Sequence, residues 1–392
     1  IHGEGNSISN ISYNKIGEMI KPILKNNFIL DNKKNIISCN GNAKIIDIHN
    51  FLINKKRYCP FFPSYPGITI GACVANGVHG INSKDGIFND CVSEIKIFNP
   101  NFGYKILSNK KNKKLFQLTK NGFGLTGIIT QIKFKVFNLK HSKYKIKILD
   151  KSDLYKSYQL IKKSNCEINQ NSFYVDYNKE DLFVGRIITG KKIINNNIKL
   201  PNLKLQKIPS MRIKFFNNEL IKKILFQTNF FLERFKFFFK KETNINNLLF
   251  TSNFNTSYFL FQSKKFIEYQ NIIPEKKIET YLLEFKKLLK KYKPNITLLH
   301  LKIFNKKGKG YEFTEKGLAI AIHIICDKNF DQFYDKILKL DLKFNCKINL
   351  YKNSLVNKEI IKMFYPSHTK KFLKDIRMIN KKYIFVNNFF NK

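Results

Sequence analysis

The chain has no tryptophan, only four methionines, and seven cysteines without a single C-x-x-C pair. Cys39, Cys59, Cys73, Cys91, Cys166, Cys326 and Cys346 are odd in number and widely spaced. That pattern excludes a disulfide framework and a thiolate zinc site, and it points to reduced, mostly buried thiols in a cytoplasmic protein. The seven histidines contain no H-x-x-x-H pair, so no metal site is expected. No apolar run reaches the roughly 18 residues that a bilayer-spanning helix requires. Acidic residues are scarce, 28 Asp and Glu against 71 Lys and Arg, for a formal charge of +43. Such an excess suits nucleic acid, an anionic membrane or a phosphorylated substrate. A compositional account competes with all three. Lys, Asn, Ile and Phe share A/T-rich codons, and the lysines are spread along the chain instead of gathered in one arm. The charge alone identifies no partner, and no nucleic acid is expected.

What is present argues for packed structure. The chain is 43% hydrophobic and 14% aromatic, with 38 Phe and 18 Tyr. At 392 residues it exceeds one ordinary core, so two domains or one interrupted domain are expected. Glycine divides the chain, with 13 of 18 within residues 1 to 130, and tight turns and close backbone approaches concentrate there.

In that first third "NIISCNGN" reads as a strand and "AKIIDIHNFLINKK" as a helix. "CVSEIKIF" and "YKILS" read as strands around the turn "NPNFG". The short helix "KKLFQLT" then leads into "NGFGLTGIITQIKFKVF", a glycine-rich turn with a long alternating strand. Beyond residue 141 long basic amphipathic segments alternate with strands. "KSDLYKSYQLIKK", residues 218 to 241 and "EKKIETYLLEFKKLLKKY" read as helices, and "NSFYVDY", "DLFVGRIITG", "ITLLHLKIF" and "GLAIAIHII" as strands. The fold class is α+β. The helix over 218 to 241 could lie on an anionic membrane, but its Phe and Lys pattern also suits a domain helix with Phe inward.

Two small-residue loops carry the chemistry. In "GEGNS", Gly3, Gly5 and Ser7 allow successive backbone N–H groups to face one concavity, as a pyrophosphate requires. In "ITIGACVANGVHG", an extended "GITI" meets Gly71, Ala72 and Cys73, then Ala75, Asn76 and Gly77, so a planar ligand could lie against the backbone. A tightly packed strand-to-helix junction would use the same residues.

The ordered set "GEGNS", "GITIGACVANGVHG", "NGFGLTGII" and "LYKNS" resembles the FAD enzymes of the vanillyl-alcohol oxidase and p-cresol methylhydroxylase (PCMH) class. It looks most like the decaprenylphosphoryl-ribose oxidase branch, the flavin half of a two-component 2'-epimerase, with aldonolactone oxidases as cousins. The resemblance covers nearly the whole chain. It implies a PCMH-type FAD-binding domain over 1–140, an inserted α+β substrate (cap) domain over 141–345, and a segment over 346–392 returning to the FAD domain. That family's FAD domain begins with a small βαβ layer, and "IHGEGNSISN" is a poor natural start for a domain. Residues upstream of Ile1 are therefore expected, and the chain as given is expected to bind FAD poorly.

Carried over by position, the resemblance implies cofactor contacts at Gly3, Glu4, Gly5, Asn6, Ser7 and Ile8 in the pyrophosphate loop. Asn6 stands where covalently flavinylated relatives have His, so the FAD should be non-covalent. Further contacts fall on Ser64, on Thr69, Ile70, Gly71 and Ala72, and on Asn76, Gly77, Val78 and His79, with His79 by the flavin's dimethylbenzene side. Ile129 and Asn349 complete the cofactor set. Lys352 falls on the family's active-site lysine, Gln270 on a substrate-site glutamine, and Lys302 with Phe304 on a pair lining the substrate pocket. Departures are Ile8 for Tyr, Ser64-Tyr65 for Gly-Thr, Gly71-Ala72 for Gly-Gly, Glu268 for Gln, Ala319 for Asn, Ala321 for Cys, and Ile81 for Lys.

The function implied is hydride removal from a carbinol carbon of a sugar or lipid-linked sugar phosphate to flavin N5. Lys352 and Lys302 would position substrate and balance charge. A soluble aldonolactone or sugar oxidase is the nearest alternative, and a basic nucleic-acid or membrane-binding protein retaining the fold is a different one. The close branch also implies a polyprenyl-phosphate sugar substrate, a short-chain reductase partner, and peripheral contact at the inner membrane face.

Overall fold

A computed structural model describes residues 3–4, 18–81, 84, 86–164, 168–193, 200–205, 224, 228, 242–250, 266–353, 355–381, 384–387 and 389–390. Of the expected helix over 218 to 241 only residues 224 and 228 are described, and the expected contacts Gly5, Asn6, Ser7 and Ile8 lie outside the described residues.

The first part of the chain runs β1 (Phe28–Asp31), β2 (Ile36–Asn40), α1 (Ile45–Asn54), β3 (Arg57–Tyr58), α2 (Ile70–Asn76) and α3 (Phe88–Cys91). It continues through β4 (Val92–Asn99), β5 (Gly103–Ser108), α4 (Lys113–Thr119), β6 (Ile128–Lys135) and β7 (Phe137–Asn138). Strands in the order β1-β2-β6-β4-β5 form an antiparallel sheet, and β3 pairs with β7. The apolar stripe of α1, with Ile45, Ile48 and Leu52, packs into one core with Ile37 and Cys39 of β2, Ile95 and Ile97 of β4, and Ile132 and Phe134 of β6.

The second part runs β8 (Lys143–Lys151), α5 (Leu154–Lys163), β9 (Ile168–Val175), β10 (Phe183–Lys192), β11 (Glu242–Asn244), α6 (Ile245–Leu249) and β12 (Phe266–Pro274). It continues with α7 (Ile278–Tyr292), β13 (Ile296–Phe304), β14 (Gly317–Ile325), α8 (Phe330–Phe344), β15 (Lys347–Ile348), α9 (Lys358–Phe364) and α10 (Pro366–Ile379). Its strands form one eight-stranded sheet in the order β11-β8-β10-β9-β13-β14-β12-β15. The molecule is α+β, built on antiparallel sheets with helices against them. None of the described helices is long and apolar enough to cross a membrane.

Strand alternation gives the large sheet two unlike faces. Ile267, Tyr269 and Ile273 of β12, Ile320, Ile322 and Ile324 of β14, and Leu299 and Leu301 of β13 join Tyr281, Phe285 and Leu289 of α7 and Phe333 and Ile337 of α8 in one core. The intervening positions, Glu268, Gln270 and Ile272, then Ala319, Ala321 and His323, then His300, Lys302 and Phe304, come into register on the opposite face. There Ile272, Ala319 and Phe304 pack with Ile87 and Phe313.

Two local features depart from the sequence expectation. The segment "GITI" is not extended throughout, because α2 already begins at Ile70, with Thr69 as its extended cap residue bridged to Lys44. The segment after residue 346 adds only Lys347–Ile348 as strand, paired with β12. Beyond it α9 and α10 lay Ile361, Phe372 and Ile376 on the second core, whereas Tyr351 is buried in the first. The first core likewise crosses residue 140, since Tyr144 of β8 and Leu248 of α6 belong to it.

Candidate functional site

Helix α2 turns two faces to different surroundings. Ile70, Cys73 and Val74 are buried in the first core, while Gly71, Ala72, Ala75 and Asn76 lie half-exposed on the other side. That side forms one wall of an open groove with about 730 Å³ of empty space, including the part continuous with solvent. Gly3, Thr69, Gly71, Ala72, Asn76 and Ile129, all expected cofactor contacts, line it. So do Lys21, Pro22, Gly41, Asn42, Ala75, Phe123, Gly124, Gly127 and Ile128.

The glycines here also have a packing cause. A Cβ on Gly41 would lie 2.0 Å from the Ile129 carbonyl oxygen, and one on Gly71 would lie 2.8 Å from the Gly41 carbonyl oxygen. The backbones are bonded where they touch: Gly71 N–H donates to Gly41 at 2.8 Å and Gly41 N–H to Thr130 at 3.0 Å. The end of β2, the start of α2 and β6 thus meet with no space for side chains at Gly41 and Gly71. At the rim Glu4 pairs with Lys21 at 3.0 Å and Lys44 at 3.4 Å. The hydrogen bond from Lys21 is the main reason its carboxyl is held below the ordinary range.

Three residues beyond Asn76, His79 enters a buried polar cluster on the inward face of the large sheet. Gly77, with φ +58°, closes α2 in the left-handed region and makes this turn. A Cβ there would lie 1.6 Å from Asn121 Oδ1. His79 is 6% exposed, with Nδ1 3.1 Å from the Gly80 carbonyl and Nε2 3.3 Å from Gln270 Oε1. Asn349 Nδ2 donates to the same Gln270 oxygen at 2.7 Å. The rings of Phe304 and Phe313 stand 5.4 and 5.5 Å from the imidazole. Burial, then the positive charge of Lys302, holds the His79 pKa down to about 3, so the ring is neutral at physiological pH.

Beside it, Lys352 Nζ is 3.2 Å from Glu268 Oε2, and His323 Nε2 is 3.8 Å from the same oxygen. Glu268 is 4% exposed and His323 3%. Burial depresses the His323 pKa to about 4. His300 Nδ1 is 2.5 Å from the Asn171 carbonyl, and burial lowers its pKa too. Lys302, half-buried between these groups, has no carboxylate or hydrogen-bond partner among the described residues. Its pKa falls to about 8, through burial first and then the charge of Lys352, with Glu268 acting in the opposite direction.

The structure therefore sorts the expected residues into a groove set and a cluster set, the latter being His79, Gln270, Lys302, Asn349 and Lys352. Glu4 stands at the rim. Ile70 and Val78 have their side chains in the first core, which leaves only their backbone for a ligand. Ser64 is half-buried in the preceding loop and belongs to neither set. His300 and His323 were not singled out from sequence. The signal was available in strand alternation, which puts 300 beside 302 and 323 beside 321 on one face. Among the described residues no three His, Cys, Asp or Glu side chains converge as a metal ion requires. No protein-family model matches the chain, and no curated protein matches it.

Proposed function

We propose that this chain is an FAD-dependent oxidoreductase with a PCMH-type FAD domain, oxidising a secondary alcohol of a sugar or lipid-linked sugar phosphate. One observation carries the reading. Residues picked out by a single ordered resemblance lie far apart in sequence and converge in space: His79 reaches Gln270 across 191 residues, and Gln270 reaches Asn349 across 79.

The groove residues fit FAD, since Gly41, Gly71, Ala72, Ala75, Gly124 and Gly127 line it with small residues and Lys21 and Asn42 add polar groups. Bound there, FAD supplies the acceptor for the carbinol hydride. The chain's own residues do the rest. Gln270 and Gly80 flank the neutral His79 ring, whose one N–H donates to one of their two oxygens, and Phe304 and Phe313 keep water from it. Lys352, oriented by Glu268, sets a cation against negative charge that develops as the alcohol is oxidised. The reading extends to a short-chain reductase that takes the keto sugar and to contact of the basic surface with anionic lipid.

A soluble aldonolactone is the second substrate class. Ala319 and Ala321 stand in register with Lys302 and Gln270, where the resembled branch has larger polar side chains, so the pocket wall is different in shape.

The full-length protein should bind FAD and show a flavin spectrum that bleaches anaerobically on mixing with a polyprenyl-phosphate pentose or an aldonolactone. Lys352→Ala should slow bleaching by about 10²-fold while FAD remains bound. A colourless protein, or an unchanged rate in the variant, would overturn the assignment.

A further inference from the structure

We propose that Lys302 is the base that takes the proton from the substrate's carbinol hydroxyl. The inference rests on the flavoenzyme reading above and adds a role to it.

Oxidation of an alcohol needs a proton acceptor as well as a hydride acceptor. The O–H bond breaks, its electron pair becomes the second bond of C=O, the hydride leaves carbon for the acceptor that FAD supplies, and the proton must go to a base. The cluster contains two amines in unlike settings. Lys352 is ion-paired with Glu268 at 3.2 Å. Lys302 has no such partner among the described residues, and the sheet places it on the same face as Gln270 and Phe304, toward His79.

The groups facing Lys302 come from every element around it. They are Glu268 and His323 on β12 and β14, His300 on its own strand β13, Lys352 beyond β15, and His79 after α2. Four of the five are positive or neutral, and the single carboxylate is shared with Lys352. The amine is accordingly held near a pKa of about 8. About one molecule in ten then has a neutral Lys302 at pH 7, against about one in a few thousand for an ordinary lysine. The rival bases are weaker. With pKa values of about 3 and 4, His79 and His323 hold a proton poorly once they have taken it. His79 has both nitrogens facing oxygens, Gly80 O and Gln270 Oε1, with its one N–H committed to one of them, and His300 is held by Asn171.

The test uses the full-length protein loaded with FAD. Anaerobic bleaching by a polyprenyl-phosphate pentose, with an aldonolactone in parallel, should accelerate as pH rises and level off near pH 8. Lys302→Ala should retain FAD by spectrum, slow bleaching at pH 7 by about 10²- to 10⁴-fold, and lose that pH dependence. Added ethylamine should restore part of the rate, as a base but not a merely structural side chain allows. Amine-selective labelling of the substrate-free protein across pH should give Lys302 a midpoint near 8. A variant that bleaches at the wild-type rate, or is slowed without amine rescue and with its pH profile unchanged, overturns the base role and leaves the flavoenzyme reading standing. Failure of the full-length wild-type protein to bind FAD or to bleach overturns that reading and the base role with it.

Discussion

The two faces of the large sheet bury charged groups in opposite ways. On the helix-covered face, Asp341 of α8 is fully buried and surrounded by donors: Tyr269 Oη at 2.5 Å, Tyr281 Oη at 2.6 Å and Asn271 Nδ2 at 2.7 Å. Burial raises its pKa to about 6, and these donors, with Cys346, pull the other way. On the inward face, Glu268 is one carboxylate among two lysines and three histidines, Lys302 bears the cost of burial without a counter-charge of its own, and His79 is kept neutral. A carboxylate that builds the fold is met by donors. A polar group that waits for a substrate is left under-compensated.

The largest effect should come from breaking the matched side. Asp341→Ala leaves two tyrosine hydroxyls and an amide without their acceptor in a closed core, and should cost about 3–5 kcal/mol in denaturant unfolding. Asp341→Asn, which keeps one acceptor oxygen, should cost less. A loss under about 1 kcal/mol for the alanine variant would show that the network is not what holds α8 to the sheet.

Acid should act next, mainly on the under-compensated side. His79 and His323 have folded pKa values of about 3 and 4, and His49, buried against Asn246 in the first core, about 4. The ordinary histidine value is 6.5. As pH falls below 6.5 the unfolded chain binds these protons and the folded chain does not, so stability is lost toward pH 4. Asp341 opposes this, because its folded pKa lies above 3.8 and the folded state binds that proton first between about pH 6 and 4. Three histidines outweigh one carboxyl at about 1.4 kcal/mol per pKa unit. Unfolding measured at pH 7, 5.5 and 4 should show a net loss of at least about 3 kcal/mol, and His323→Gln should recover its share. Stability that held level or rose over that range would contradict the contrast.

The sequence shows some of this directly and conceals the rest for physical reasons. The apolar runs "ITLLHLKIF" and "GLAIAIHII" are β13 and β14 to the residue, and "KKLFQLT" is α4, because buried strands and amphipathic turns write their period into composition. The start of α2 was hidden, since Ile68, Thr69 and Ile70 are β-branched and read as strand while the Lys44 bridge and the Gly41 contact force the turn into helix. Two-residue strands such as β3 and β15 have no period to detect. The placing of Tyr144 and Leu248 in the first core depends on contacts between segments far apart in sequence. Within the candidate site, Gly41 reads as part of a strand and Gly127 as part of a glycine-rich turn, and only the three-dimensional meeting of β2, α2 and β6 puts them on the groove.

The smallest effect should have the opposite sign from the first. Lys302→Met keeps an unbranched apolar stem in place and removes an amine whose charged form is disfavoured by burial and by Lys352. The folded pKa of about 8 lies below the ordinary 10.5, so the cost is carried in full below pH 8, shrinks between 8 and 10.5, and vanishes above. The variant should therefore be more stable by about 1–3 kcal/mol at pH 7 and by much less at pH 10, read from denaturant midpoints at both. Replacing the matched Asp341 loses stability, and replacing the unmatched Lys302 gains it while losing turnover, which is the trade expected of a residue retained for chemistry. A Lys302→Met chain less stable than wild type at pH 7 would mean that the amine has a partner in the fold, and the distinction between the two faces would fail at the residue on which it depends most.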